Sequence, residues 1–273
     1  MKKINTLHLF NPLEQKLIEL LKSLSPTDWN KPTVAKLWTV KDVAAHLLDT
    51  SVRTIAMAQQ HAGDPPDAIN SYQDLVNYLN RHNADWVKAM RRVSPQTLID
   101  FLQLTQQPMI DYYHSLDLEA PAMFSVAWAG ENESKNWFHI AREYTERWHH
   151  QQQIRDAVQQ EGIMTREYFY PMIDTLLRAL PHNFRNTTAP DGTCVEVTIT
   201  GDAGGNWIIQ SQAGKWNLVE SGQPIATTLT LTPDTAWKLF TKALTPAQAD
   251  AYVKVVGDKS LSAPVLKMVA VMG

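Results

Sequence analysis

A carboxylate and an imidazole lie four residues apart near the middle of the chain. In residues 146–150 (ERWHH), a helix would place Glu146 and His150 on the same face, one turn apart. This pairing lets one helix offer an oxygen and a nitrogen donor to a single metal ion. Two donors do not complete a site, so a third must come from elsewhere. The best candidate is His46, which lies on another predicted helix.

Other donors on the same helix compete with this pairing. With a rise of about 1.5 Å per residue, His139 and His150 would lie roughly 16 Å apart along the axis, too far to share one ion. Glu146 with His149 forms Glu-x-x-His, the motif of di-iron carboxylate bundles, which need two such motifs. The sequence contains no second Glu-x-x-His. A mononuclear site therefore ranks above a di-iron site, and spacing alone leaves both His149 and His150 open as donors.

Composition limits the class of protein. The chain has 273 residues, of which 44% are hydrophobic and 19% charged, which is ordinary for a soluble protein with a sizeable core. A net charge of −3 argues against a nucleic-acid partner. Cys194 is the only cysteine, which excludes an intrachain disulfide and a cysteine-based zinc site. Since the N-terminus also lacks an apolar leader, we expect a cytoplasmic protein without a membrane span.

Capping signals and helical spacing predict helices through the first two-thirds of the chain. The predicted helix starts are Asn11, Thr39, Ser71, Ser94, Ser134 and Thr165. We expect residues 63–66 (GDPP) to end the second helix and Pro108 to kink or break the fourth. Asp42, four residues before His46, could be a ligand, but its position in the first turn favours a capping role.

The pattern changes near residue 182. A turn-rich segment, residues 186–192, is followed by alternating apolar residues at 195, 197 and 199 and again over 227–231, which is the period of a strand. Thr232-Pro233 predicts a helix start, and a last strand over residues 252–256 precedes a C-terminal helix. We therefore predict a helical bundle over residues 1–182 and a small α+β domain over residues 183–273.

Two motifs in the predicted helices carry a family resemblance. Residues 38–49 (WTVKDVAAHLLD), together with Glu146-x-x-x-His150, resemble the DinB-like proteins, in particular the metal-binding domain of mycothiol-dependent maleylpyruvate isomerase. In that family a four-helix bundle holds a divalent metal, usually zinc, on three side chains. His46, Glu146 and His150 match those three positions, so the resemblance implies that they are the metal ligands.

The C-terminal region adds to this resemblance. Residues 197–207 (VTITGDAGGNW) and 255–258 (VVGD) are similar to the accompanying C-terminal domain, which resembles sterol carrier protein type 2. The implied architecture is a DinB-like four-helix bundle followed by a sterol-carrier-like α+β domain. Isomerases of this family use an arginine from the C-terminal domain, and Arg185 is the only arginine from that position to the end of the chain.

The chemistry implied by the ligand set is nucleophile activation. Two histidines and one glutamate leave a fourth position open on zinc, where a water or a thiol becomes a nucleophile. Because Cys194 lies in the other predicted domain, a thiol would arrive as a small cofactor such as mycothiol. We expect transfer of this thiol to an electrophilic substrate, or isomerisation of that substrate. Hydrolysis by a bound water, and a non-catalytic protein that binds metal and an apolar ligand, are the alternatives.

Supporting residues follow from helical spacing. Asp49 and Gln153 could hydrogen-bond the second nitrogens of His46 and His150, and thereby orient the rings. Two arginines near the ligand face, Arg53 and Arg142, are candidates to bind an anionic substrate. Imidazole ligands also accept Ni²⁺ in place of Zn²⁺. Whether the protein forms a homodimer stays open.

Overall fold

Helices form the first two-thirds of the chain and strands follow, in the part that the computed structural model describes, residues 2–61 and 69–271. The helices are α1 (Leu7–Ser23), α2 (Val40–Ala58), α3 (Tyr72–Met90), α4 (Pro95–Ser115), α5 (Asn136–Val158), α6 (Arg166–Leu177), α7 (Leu180–Asn183), α8 (Pro233–Phe240), α9 (Pro246–Ala249) and α10 (Ala263–Leu266). The strands are β1 (Cys194–Ile199), β2 (Gly205–Gln212), β3 (Lys215–Val219), β4 (Ile225–Leu231) and β5 (Lys254–Gly257). The predicted fold class, a helical region followed by a small α+β region, is confirmed.

Several helices begin where the sequence predicts. Thr39 caps α2 in a reciprocal capping box with Asp42, so the capping role predicted for Asp42 is confirmed. The Ser94 side chain caps α4 by accepting from the backbone N–H of Thr97, and Thr232 caps α8 in the same way. These caps satisfy backbone donors that the helices themselves leave unpaired.

Other boundaries differ from the predictions. Helix α1 begins at Leu7, not at Asn11, and Pro12 lies inside it. Phe10 is buried along with the later apolar residues of α1, and this burial offsets the backbone hydrogen bond that proline cannot donate. Helix α4 likewise continues through Pro108 and is not broken there. The expected helix stop at residues 63–66 lies outside the described residues.

The C-terminal elements are also shorter or displaced. Strand β5 starts at Lys254, two residues after the predicted start. The expected C-terminal helix is a short 3-10 turn, Lys259–Ser262, followed by the four residues of α10.

The chain divides into two compact units. The helical unit consists of the described residues of Thr6–Asp117 and of Glu146–Gly162. Its core contains apolar side chains from α1, α2, α4 and the end of α5, including Leu17, Val43 and Ile154. No helix in the described ranges is long and apolar enough to cross a membrane.

The mixed unit contains the sheet. It consists of Leu118–Thr145 and Ile163–Val271, with the N-terminal segment up to Asn5. The strand order is β3-β2-β1-β4-β5; β1 pairs with β4 in parallel, and the other neighbouring pairs are antiparallel. The apolar residues of β1 are buried as their alternation predicts. The boundary predicted between residues 182 and 183 stays a prediction.

Candidate metal centre

Helix α2 places His46 inside the helical unit. Its imidazole is 6% exposed and its Nδ1 atom has no hydrogen-bond partner among the described residues. The ring of Trp38 lies beside it, with 4.8 Å between the ring centroids. A buried polar atom without a partner is costly, so it marks a place where a bound group would be favoured.

Helix α5 supplies three more donors to the same unit. The Nε2 atom of His150 lies 3.6 Å from Oε2 of Glu146, and the Nδ1 atom of His149 lies 3.7 Å from the same oxygen. One donor atom from each of the three residues falls within 4.8 Å of the other two. The spacings of three and four residues account for this, because both positions lie on the Glu146 side of the helix.

His46 from α2 joins the donors of α5. Its ring centroid is 4.6 Å from that of His150, and Trp38 also approaches His150 at 6.3 Å. We call His46, Glu146, His149 and His150 the imidazole cluster. Burial holds the pKa of His46 well below its ordinary value, and the nearby positive charges, His150 first, lower this pKa further. The neutral imidazole, which can donate a lone pair, is therefore favoured.

The residues expected to orient the rings behave differently from each other. Nδ1 of His150 lies 2.9 Å from Oε1 of Gln153, which gives this ring a fixed hydrogen-bond partner. Asp49 instead forms an ion pair with Arg53 at 3.2 Å, and it does not bind His46. Burial raises the pKa of Asp49, while the charge of Arg53 opposes that shift. The side chain of Arg53 is 48% exposed, so its guanidinium is accessible to an anionic ligand.

A buried ion pair supports the cluster and was not predicted from the sequence. Arg147 binds both carboxylate oxygens of Glu14, through Nε at 2.6 Å and through its Nη2 atom. Its Nη1 atom donates to the carbonyl oxygen of Leu47 at 2.6 Å and to the hydroxyls of Thr50 and Ser51. This arginine therefore ties α5 to α1 and α2. Sequence spacing gave no signal, since Glu14 is 133 residues away.

A second group of similar residues lies earlier on α5, in the mixed unit. Nη2 of Arg142 lies 2.8 Å from Nδ1 of His139 and donates to Oε1 of Glu143 at 2.5 Å. We call these three residues the arginine-tied cluster. Burial lowers the pKa of His139 to about 4; Glu143 opposes this shift and Arg142 adds to it. The exposed ring of Phe124 lies 6.4 Å from the ring of His139.

The imidazole cluster has the donor set that a divalent metal requires. Zinc takes imidazole nitrogens and carboxylate oxygens at about 2.0–2.2 Å. Donor atoms of Glu146, His149 and His150 lie within 4.8 Å of one another, and the ring of His46 lies beside that of His150. The unpartnered Nδ1 of His46 and the partnered Nδ1 of His150 are both compatible with coordination. The residues therefore fit a metal.

From the sequence, Arg185 also stands out as the only arginine from that position to the end of the chain. Its side chain donates to the carbonyl oxygen of His182.

Two features define the class of fold: a helical unit whose interior holds clustered imidazole and carboxylate groups, and a second unit that contains a small mixed sheet. The sequence matches the model of the mycothiol maleylpyruvate isomerase N-terminal domain over residues 10–155, more than half of the chain. The chain belongs to this family, and the resemblance drawn from the sequence is confirmed. Among curated proteins, no sequence matches this chain significantly.

Solved structures agree with the family. Two crystal structures described as the mycothiol-dependent maleylpyruvate isomerase, one of them a histidine-to-alanine mutant, superpose with a TM-score of 0.53. They share 9% identity (the mutant) and 10% identity with this chain, and each comparison covers 91% of this chain and 90% of theirs. This similarity establishes the fold alone.

The sterol carrier protein domain 2 of Helicoverpa armigera is a further match. It shares 18% identity over 38% of this chain and 86% of its own, with a TM-score of 0.28.

Proposed function

We propose that the protein is a metal-dependent enzyme that activates a small thiol for transfer to, or isomerisation of, an electrophilic substrate. The observation that carries this proposal is the convergence of His46, Glu146 and His150 from two helices in the interior of the helical unit. Membership of the mycothiol maleylpyruvate isomerase family supports the thiol. Relatives of this fold are described as mycothiol-dependent, which supports a mycothiol-like cofactor.

Three side chains would hold the ion. His46 would contribute an imidazole from α2, while Glu146 and His150 would contribute an oxygen and a nitrogen from α5. When bound, Zn²⁺, or Ni²⁺ in its place, would act as a Lewis acid that favours the thiolate form of a small thiol. Gln153 would keep the His150 ring in one orientation, because its Oε1 atom accepts a hydrogen bond from the Nδ1–H group of His150.

The remaining residues would position the ligands. Trp38 lies beside both imidazoles and offers an apolar wall to the carbon skeleton of the thiol or substrate. Arg53, held by Asp49, would bind a carboxylate of the substrate with its exposed guanidinium. Arg142 is the second candidate for an anionic group, and it would have to exchange its present bond to Glu143 for the substrate.

Metal content tests the ligand set. Purified protein should contain about one zinc-like ion per chain, and His46→Ala or His150→Ala should lose it. His139→Ala is the matched control, because His139 is also a buried histidine on α5 but belongs to the arginine-tied cluster. Wild-type protein that takes up no divalent ion would overturn the site.

Thiol binding tests the reaction class. Calorimetry of the metal-loaded protein with mycothiol, bacillithiol, glutathione and coenzyme A should show one binder, and metal-free protein should bind none. Arg53→Ala should leave this thiol affinity unchanged and raise KM for an anionic electrophile. Binding of no thiol, with turnover of an ester or amide in its absence, would replace the proposal by zinc-dependent hydrolysis.

A further inference from the structure

We propose that His149 is a fourth protein donor of this centre, and that a small thiol must compete with it for the same coordination position. This inference rests on the proposed metal site and extends it. The resemblance to the family supplies three ligands, whereas the structure brings four candidate donors together.

Helical geometry explains why both histidines reach one carboxylate. At about 100° per residue, positions three and four residues after Glu146 lie about 60° to one side of it and about 40° to the other. His149 and His150 therefore flank Glu146 on the helix surface. Their nearest nitrogens, Nδ1 and Nε2, both approach the same oxygen, Oε2.

The distances suit a shared ion better than hydrogen bonds. Separations of 3.7 Å and 3.6 Å between nitrogen and oxygen are too long for hydrogen bonds. Two donors bound tetrahedrally to one ion at about 2.1 Å are about 3.4 Å apart, which is close to both values. Small side-chain movements would bring all three donors of α5 to one ion, since they already lie within 4.8 Å.

His149 is also inside the helical unit. It is 4% exposed, and its ring centroid is 3.9 Å from that of His150. The ring of His150 in turn lies beside that of His46, with 4.6 Å between the ring centroids. Three imidazoles and one carboxylate would fill a tetrahedral site, so His149 would occupy the position that a three-ligand site leaves open.

Counting the imidazoles around the ion tests this inference without any mutation. X-ray absorption spectroscopy of the zinc-loaded wild-type protein should fit three imidazoles and one carboxylate oxygen. Two imidazoles with an additional water oxygen would overturn the role of His149 while leaving the proposed three-ligand site intact. A wild-type protein without bound metal would overturn the site itself, and the fourth donor with it.

Cobalt substitution gives an independent readout. In His149→Ala, one Co²⁺ per chain should still bind, with affinity lowered at least about tenfold and with altered visible absorption bands, because loss of a donor costs at least as much as loss of an outer hydrogen bond. Titration with 2-mercaptoethanol should produce the sulfur-to-cobalt band at about tenfold lower thiol concentration than in wild type. His149→Gln, which keeps a polar side chain, should behave in the same way.

Gln151→Ala is the matched control, because Gln151 is a buried polar residue of the same helix and lies on the side of the helix opposite His149. It should leave the cobalt spectrum and the thiol titration unchanged. Identical spectra and thiol titrations for wild type and both His149 variants would overturn the inference.

Discussion

Helix α5 carries two clusters of the same residue types with opposite organisation. In the arginine-tied cluster, Arg142 binds its sequence neighbour Glu143 and also contacts His139. In the imidazole cluster, the arginine next to Glu146 is Arg147, which binds Glu14 of α1. The carboxylate of Glu146 lies beside imidazoles, and that of Glu143 lies against a guanidinium.

This difference shows what distinguishes a ligand site from an ordinary polar cluster. A carboxylate bound to arginine has its charge neutralised and its lone pairs occupied. A carboxylate flanked by imidazoles lies beside groups that bind the same cations as it does. The residue types and the four-residue spacings are alike, but the neighbouring arginine binds the carboxylate of its own cluster in one case and a carboxylate of α1 in the other.

The largest expected effect concerns the ion pair that holds Arg147. Glu14→Ala would leave a guanidinium that is 2% exposed without its carboxylate, at a cost of about 3–5 kcal/mol in the free energy of unfolding. Chemical denaturation of metal-free protein measures this cost. Glu143→Ala should cost less, about 1.5–3 kcal/mol, because the arginine-tied cluster is more exposed. Equal costs for the two variants would contradict the comparison.

The double variant Glu14→Met with Arg147→Met separates the ion pair from packing. Replacing both charges by apolar side chains of similar volume should recover most of the lost stability. Failure to recover it would mean that the hydrogen bonds of Arg147 to α2 carry more of the effect than its pairing with Glu14.

The second effect is a pH dependence that arises in the arginine-tied cluster. The pKa of His139 is about 4 in the folded chain and about 6.5 when unfolded, so the unfolded chain binds more protons between these values. The free energy of unfolding should therefore fall as the pH drops from 6.5 to 4, by on the order of 3 kcal/mol from this group. His139→Gln should show a correspondingly smaller loss over the same window. If His139→Gln and the wild type lost the same stability between pH 6.5 and pH 4, burial would not hold His139 neutral.

The smallest effect concerns the residue that orients His150. Gln153→Ala should weaken divalent-metal affinity by about 10- to 100-fold, because the ring loses its hydrogen-bond partner. Gln151→Ala, a change at a buried glutamine on the opposite side of α5, should leave the affinity unchanged, and competition with a chromophoric chelator measures both variants. Equal affinities for wild type and Gln153→Ala would show that this hydrogen bond does not organise the imidazole cluster.

Local signals predicted much of the fold. Capping residues correctly predicted the starts of α2 and α4, and the alternation of apolar residues correctly predicted β1. Capping and alternation both depend on neighbours within a few residues. The predicted start of α1 at Asn11 was wrong. The proline at position 12 indicated a first turn there, but the burial of Phe10 favours a helix that begins earlier. Such burial depends on residues distant in sequence, which a local pattern does not contain.

The site was predictable as a set of candidates and less so as a network. Spacing on α5 brought Glu146 together with both His149 and His150, and the structure keeps both histidines beside it. The ion pair of Asp49 with Arg53 lies within α2 at a four-residue spacing, whereas the bond between Arg147 and Glu14 depends on how separate helices pack. Helical periodicity places a side chain on a face, but it does not identify the partner opposite that face.

The discontinuity of the two units has a consequence for the order of events during protein synthesis. The helical unit lacks Glu146–Gly162 until after Leu118–Thr145, a segment of the mixed unit, has been made. At about 5–20 residues per second, His46 leaves the ribosome roughly 5–20 seconds before Glu146. The nascent chain thus exposes α1 to α4 before their last helical partner exists, and the proposed metal can be captured only near the end of this interval.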